Sequence, residues 1–325
     1  MTSEELDDII RNQFDNTLES TNFESLGTLY KGKVRDNYIK NDVRIIIATD
    51  RLSAFDRVIT TIPFKGQMLN QISSFWFEKT KNIVKNHIID IPDPNVSIVH
   101  QCEMIPVEMV ARAYITGSAW RSYIKGEVTS GIILPKGLQK NQKLDDFILT
   151  PSTKAESGHD IYISREKILE DKLVNEEVYT QMENASIKLF KFAQNYCFKN
   201  GLILVDTKYE FGIKNGELLV TDEIHTQDSS RFWVADSYNE RFENGEEPEI
   251  LDKEIFRGWL MDTYPDIFPN ITPDQDIPPI APEIKVDLAK RYMMSYQKIT
   301  GNKFKAEVSD VKKRIVENLR KANYL

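Results

Sequence analysis

Three cations alternate with other residues in Tyr30-Lys31-Gly32-Lys33-Val34-Arg35-Asp36. In an extended strand Lys31, Lys33 and Arg35 project to one face, because side chains alternate. Gly32 lets the backbone approach an anion whose charge the cations neutralise, so the segment can cradle phosphates. It is neither a Walker loop nor GxGxxG, and lysines also protect solvated edge strands. A second segment, Leu204 to Gly212 followed by Val220-Thr221-Asp222-Glu223, leads apolar strands into carboxylates on both arms of a hairpin. Hard cations such as Mg²⁺ take carboxylate oxygens and keep ligand positions for substrate phosphates, which makes Glu210 and Asp222 the natural pair. A two-residue turn at Asn215-Gly216 pairs Glu210 with Thr221 and puts Asp222 on the other face. One bulge residue, expected at Gly212, restores a shared face. Exposed hairpin carboxylates are the plain alternative.

Arg112-Ala113-Tyr114-Ile115-Thr116-Gly117-Ser118 joins an arginine to a Gly-Ser turn, and Arg231 follows Asp228-Ser229-Ser230. Guanidinium forks and the Ser118 hydroxyl can clamp a phosphate or carboxylate, although surface ion pairs account for single arginines as well. Thr150 to Asp160 is polar, without apolar periodicity, and reads as a loop that is either functional or a plain connector. His159 lies outside any nucleophile motif. Trp120, Trp233 and Trp259 read as core.

The elements that must position these groups are legible in outline. Leu29 to Ile39, Val43 to Ala48, Val96 to Met104 and Val107 to Ile115 read as strands, and Leu69 to Ile83 carries a helical apolar stripe. Asn175 can cap a long helix that ends at Asn200-Gly201. Strands follow at Leu202 to Val205 and Glu217 to Ile224, then a helix after Asp252. A proline-rich connector spans Pro265 to Pro282, and helices near 283–299 and 306–322 complete the sequence. The expected division is a β-rich lobe over residues 1–106 and an α+β lobe over 107–325. At 325 residues, with 41% hydrophobic and 28% charged, the chain has material for a real core. A net charge of -8 disfavours nucleic acid as the main partner. No apolar run suits a membrane span, and the acidic N-terminus does not suit a signal peptide. Cys102 and Cys197 form no zinc or redox pattern and suit free thiols in a reducing cytoplasm. Phosphate, metal and anion segments together point to ATP-dependent chemistry on a small acidic substrate.

Six segments taken in order resemble the SAICAR synthetase (phosphoribosylaminoimidazole-succinocarboxamide synthase) family: YKGKVRD at Tyr30, ATDRLSAFD at Ala48, EMIPVEMVARAYITGSAW at Glu103, PSTKAESGHD at Pro151, GLILVDTKYEFG at Gly201 and TDEIHTQDSSRFW at Thr221. The C-terminal helices fit the family's longer single-function form. Gln227 stands where the family pattern has proline, which bears on the stiffness of that loop. The carboxylase segment of the fused animal form is missing. The resemblance implies an α+β fold: an N-terminal antiparallel β lobe similar to the small lobe of kinases, and an ATP-grasp-like α+β lobe, with ATP between them.

The implied reaction joins 5-aminoimidazole-4-carboxylate ribonucleotide and L-aspartate with ATP, giving SAICAR, ADP and phosphate in purine (IMP) biosynthesis. Lys31, Gly32, Lys33 and Arg35 would serve the ATP phosphates. Glu103, Met104 and Val107 resemble the hinge that receives adenine, and Lys208 would approach the nucleotide phosphates. Glu156, Glu210 and Asp222 resemble the Mg²⁺ carboxylates, so Lys208, Glu210 and Asp222 form the catalytic set. Arg112, Ser118 and Arg231 resemble the ribonucleotide-phosphate clamp, with Ser53 and Asp56 near the imidazole end. Oligomeric state stays open, a monomer included. Two other readings stand beside this one: a different ATP-dependent kinase or ligase, and a non-catalytic nucleotide-binding module.

Overall fold

The computed structural model describes residues 2–154 and 161–325. Glu156 and His159 lie outside the described residues. The chain divides into two compact units. Residues 1–75, 88–101 and 251–325 form the first, and residues 76–87 and 102–250 the second.

The first unit opens with α1 (Ser3–Asn12), whose capping box pairs Thr2 and Glu5. Strands β1 (Thr28–Lys31), β2 (Arg35–Lys40) and β3 (Val43–Ala48) follow. A small hairpin of β4 (Arg51–Ala54) and β5 (Arg57–Thr61) leads into α2 (Lys65–Thr80), which belongs to this unit as far as Phe75. Strands β6 (Ile88–Asp93) and β7 (Val96–His100) complete a five-stranded antiparallel sheet in the order β1-β2-β3-β7-β6. The β-branched run 43–48 buries Ile45, Ile46 and Ile47, as a central strand should.

The second unit is built around one long strand. Its elements are β8 (Glu103–Met104), β9 (Val107–Tyr114), α3 (Gly117–Ile124), β10 (Lys143–Leu149), β11 (Ser152–Thr153), α4 (Arg165–Glu170), α5 (Glu176–Lys199), β12 (Leu202–Lys214), β13 (Glu217–Thr221), β14 (Ser230–Val234) and α6 (Ala235–Glu243). Asn175 caps α5 by accepting the Val178 N–H at 2.8 Å, and Gly201 takes the left-handed backbone that ends it. Strand β12 pairs with β14 and β9 along its first half and with β13 and β8 along its second, all antiparallel.

The remaining helices, α7 (Glu254–Thr263), α8 (Pro282–Thr300) and α9 (Val311–Lys321), return to the first unit. The units therefore differ from the split expected at residue 106. Phe256, Leu260 and Tyr292 share a core with Ile10, Leu52 and Met68, while Val311, Ile315 and Leu319 share one with Leu26, Ile47 and Val96. Apolar stripes choose the partners they pack against, and sequence position does not restrict that choice. The last helix also starts later than its stripe suggests, leaving Val308 outside it and 46% exposed.

Candidate active site

In the first unit the cationic segment is not one continuous strand. β1 stops at Lys31, β2 starts at Arg35, and Lys31 faces Asp36 across the hairpin. The alternation that would place Lys31, Lys33 and Arg35 on one face is thus broken by a turn at residues 32–34. Gly32 N–H donates to the Arg35 carbonyl at 2.8 Å. Three successive carbonyls of this turn are engaged. Arg51 donates to Gly32 O at 3.0 Å and Lys33 O at 2.9 Å, and Thr49 donates to Val34 O through its N–H and its hydroxyl. A turn whose carbonyl dipoles are occupied opposes an incoming anion less, and its shape is fixed. Arg51 is itself held by the fully buried Asp36 at 2.9 Å. Lys33 Nζ reaches Asp56 Oδ1 at 2.5 Å, so the turn and the β4–β5 hairpin meet at this ion pair. Ser53 lies on β4 at a register shift, opposite Val58.

In the second unit, register explains the anion clamp. Asp206 on β12 faces Arg112 on β9 and Arg231 on β14. Its Oδ2 accepts from both guanidinium groups, at 3.0 and 2.7 Å. Arg112 also donates to Thr150 Oγ1 at 2.9 Å, to Tyr162 OH at 3.3 Å and to Ser118 Oγ at 3.4 Å, while Tyr162 OH donates to Ser118 Oγ at 2.7 Å. Gly117, with φ of 56°, lets Arg231 lie against the start of α3: a Cβ there would sit 2.6 Å from its Nη2. Two arginines sharing one carboxylate leave a local excess of positive charge beside a helix N-terminus, which suits a phosphate.

Two and four residues along β12, on the same face, stand Lys208 and Glu210. Lys208 Nζ contacts Glu108 at 2.6 Å and Glu210 at 3.1 Å, and Lys154 pairs with the other oxygen of Glu210. Burial alone would lower the Lys208 pKa, but the charges of Glu210, Glu108 and Asp222 outweigh it and hold the ammonium well above its ordinary value. The hairpin keeps strict register through Gly212, with Glu210 opposite Thr221, so the expected bulge is absent. Gly212 has another task, since a Cβ there would meet Cys102 Cβ at 2.7 Å where β8 pairs beside it. Asp222 is turned instead by its own backbone: β13 ends at Thr221 and Asp222 adopts φ of 62°, leaving the alternation of the strand. Its charge acts on Lys208 all the same.

Glu103 and Met104 lie on β8 against Ile213 and Gly212, and Val107 opens β9, fully buried. Gln227 is buried too. The loop around it is tied by Thr226, whose hydroxyl contacts Glu223 and accepts from the Asp228 and Ser229 N–H groups, so side-chain bonds replace the stiffness of a proline. Sequence reasoning missed Arg51, Glu108 and Asp206. The signal was available: each is a charged residue inside or beside an apolar strand, where burial demands an opposite partner. Among the described residues no three His, Cys, Asp or Glu are grouped to hold a metal ion. Lysine ammonium groups hold both Glu210 oxygens, and the charge of Asp222 acts on one of those lysines, so the two carboxylates act on a place where positive charge gathers, which suits a hard cation such as Mg²⁺.

Comparison with known proteins decides the family. The family model described as SAICAR synthetase matches residues 28–270. The chain belongs to the SAICAR synthetase family. It is 44% identical over 303 residues to a phosphoribosylaminoimidazole-succinocarboxamide synthase of Legionella pneumophila, covering 91% of this chain and 95% of that one. A Bacteroides fragilis protein of the same name is 45% identical, covering 92% and 95%. Among solved structures, a Saccharomyces cerevisiae SAICAR synthase complexed with SAICAR superposes with a TM-score of 0.77 at 32% identity, over 89% of this chain and 99% of that one. A SAICAR synthetase in complex with ADP superposes with a TM-score of 0.65 at 27% identity, over 86% and 100%. The mixed α and antiparallel β architecture of the two units is that of these SAICAR synthetases.

Proposed function

We infer that this chain is an ATP-dependent ligase that joins 5-aminoimidazole-4-carboxylate ribonucleotide to L-aspartate, forming SAICAR, ADP and phosphate in purine biosynthesis. The observation that carries the reading, in a member of this family, is one face of β12. Asp206 gathers two arginines at one end, and Lys208 and Glu210 join a carboxylate cluster about 7 to 13 Å further along, at roughly 3.3 Å per residue. A ribonucleotide gripped by its phosphate at Arg112, Ser118 and Arg231 can extend its far end toward that cluster.

The chemistry requires such a division of labour. A carboxylate is a poor acyl donor because its oxygen leaves poorly. Transfer of the ATP γ-phosphoryl to that oxygen makes an acyl phosphate. The aspartate amine then attacks the acyl carbon, loses a proton and expels phosphate. Positioning and charge neutralisation supply most of the acceleration in phosphoryl transfer. Lys31, Lys33, Arg35 and the Gly32 backbone hold ATP phosphates, and Arg51 keeps their turn in shape. Glu103, Met104 and Val107 receive the adenine. Lys208 stays charged beside the transferring group. Glu210 and Asp222, with Glu156, supply oxygen ligands for Mg²⁺, which would neutralise phosphate charge when bound. Ser53 and Asp56 meet the imidazole end. Two buried free cysteines suit a cytoplasmic setting, and no helix among the described residues is long and apolar enough to cross a membrane.

A coupled ADP assay tests the reading, with the ribonucleotide and L-aspartate omitted in turn. ADP release should need ATP and the ribonucleotide, and SAICAR should form only with all three substrates. Release that depended on neither organic substrate would point to a different ATP-dependent enzyme, and absence of release under every condition to a binding module.

A further inference from the structure

The β4–β5 hairpin is an unlikely turn for its sequence. Ala54 pairs with Arg57, so Phe55 and Asp56 are its two turn residues, and both have positive φ, 51° and 60°. Such a turn calls for Asn-Gly or similar residues. Aspartate tolerates the left-handed region, whereas a bulky phenylalanine is a true outlier there. A strained backbone persists only where its surroundings over-determine it.

Those surroundings come from α7 and the segment that follows it. The Phe55 ring lies 5.2 Å from the Phe268 ring, and the Arg257 guanidinium sits over its face at 5.0 Å, held by Glu254 at 2.8 Å. On the other side of the turn, Arg57 donates to the Thr272 and Gln275 carbonyls, both at 2.6 Å. These two carbonyls belong to a closed loop, because Gln275 N–H bonds to Thr272 O and the Gln275 side chain accepts the Thr272 N–H. Phe268 is buried among Ile62, Phe64 and Tyr292. The turn is therefore gripped at both flanks by residues about 200 positions later in the chain, and its remaining residue, Asp56, is the one that holds Lys33.

We infer that residues 257–275 are a brace that forces the Phe55–Asp56 turn into its left-handed form and so positions Asp56 against Lys33 and the ribonucleotide. Arg57 and Phe268 are positioning residues, acting through Asp56. The inference rests on the reading of Asp56 given above, and the test keeps the two apart.

The experiment compares Arg57→Met, Phe55→Asn, the double variant and Asp56→Asn in the full chain, with kcat and KM measured for each substrate. Arg57→Met removes both carbonyl bonds while keeping an apolar stem. It should lower kcat/KM for the ribonucleotide about ten- to a hundredfold, the effect of misplacing a reacting group by about an ångström. Asparagine adopts positive φ readily, so adding Phe55→Asn should restore most of that loss by making the turn stable without its brace. Asp56→Asn should be defective and immune to such rescue. If Asp56→Asn is impaired while Arg57→Met shows parental kinetics and only a lower Tm, the brace is wrong. A defect in Arg57→Met that Phe55→Asn does not relieve also overturns it. Parental kinetics in Asp56→Asn would instead remove the role of Asp56 itself.

Discussion

Replacement of Gly117 by alanine probes the anion clamp without removing any of its polar groups. The added methyl would stand 2.6 Å from Arg231 Nη2, 2.8 Å from Cζ and 3.0 Å from Nη1, all inside contact distance. The guanidinium must move, yet it is fastened to Asp206 at 2.7 Å. Displacement costs Arg231 at least one charge-assisted hydrogen bond to the substrate phosphate, about 1.5–3 kcal/mol. At about 1.4 kcal/mol per factor of ten, ribonucleotide affinity should fall about 10- to 150-fold. The φ of 56° adds backbone strain of about 1–2 kcal/mol, which lowers stability separately. Gly126→Ala is the control: its φ is also positive, 73°, but nothing lies within 4 Å of the new methyl. Titration calorimetry with the ribonucleotide and with ATP, beside thermal unfolding, reads all three quantities. Both variants should lose stability, only Gly117→Ala should lose the ribonucleotide, and ATP binding should stay within about twofold. Full ribonucleotide affinity in folded Gly117→Ala would show that Arg231 does not hold the phosphate.

Lys33→Ala should raise the KM for ATP or lower turnover by about ten- to a hundredfold, with a smaller effect on ribonucleotide binding. Unchanged kinetics with varied ATP would remove Lys33 from the phosphate site. The acids around Lys208 keep it protonated, so the parental kcat/KM profile should show no alkaline loss from this group below pH 10. Glu108→Gln removes one of those charges, so any alkaline limb from Lys208 should begin at lower pH than in the parent, and a limb displaced to higher pH would refute the assignment. Burial holds the His225 pKa down to about 3, so the unfolded chain takes up protons more readily than the folded one below pH 6.5. Its share of stability is present above pH 6.5 and is lost as pH falls toward 3, about 2 kcal/mol by pH 5. Urea unfolding of His225→Gln, which keeps an acceptor for Tyr209, should show a shallower acid slope than the parent.

Local rules carried much of the fold. Asn215 and Gly216 both adopt positive φ, and the register they dictate, Glu210 opposite Thr221, is the one observed. The Asn175 cap and the buried run at 43–48 follow from side-chain chemistry confined to a few residues. What escaped depends on distant neighbours. Asp222 leaves its strand through a left-handed backbone that nothing in its own type demands. Glu108 finds Lys208 a hundred residues away, and Arg231 finds Arg112 only because β14 and β9 flank the same strand. The turn at Gly32 looks like strand until the carbonyl bonds of Arg51 and Thr49 are known.

The discontinuity of the first unit orders events during synthesis. Residues 102–250 form nearly all of the second unit and can close their contacts while the ribosome is still at work on the rest. The N-terminal sheet cannot. Ile10, Leu52 and Met68 wait for Phe256, Leu260 and Tyr292, and Leu26, Ile47 and Val96 wait for Val311, Ile315 and Leu319. Closing loops that long costs only slightly more entropy than closing shorter ones, but their contacts form late. A chain halted between residues 250 and 311 therefore leaves Leu26, Ile47 and Val96 without their helical partners, open to chaperones and proteases.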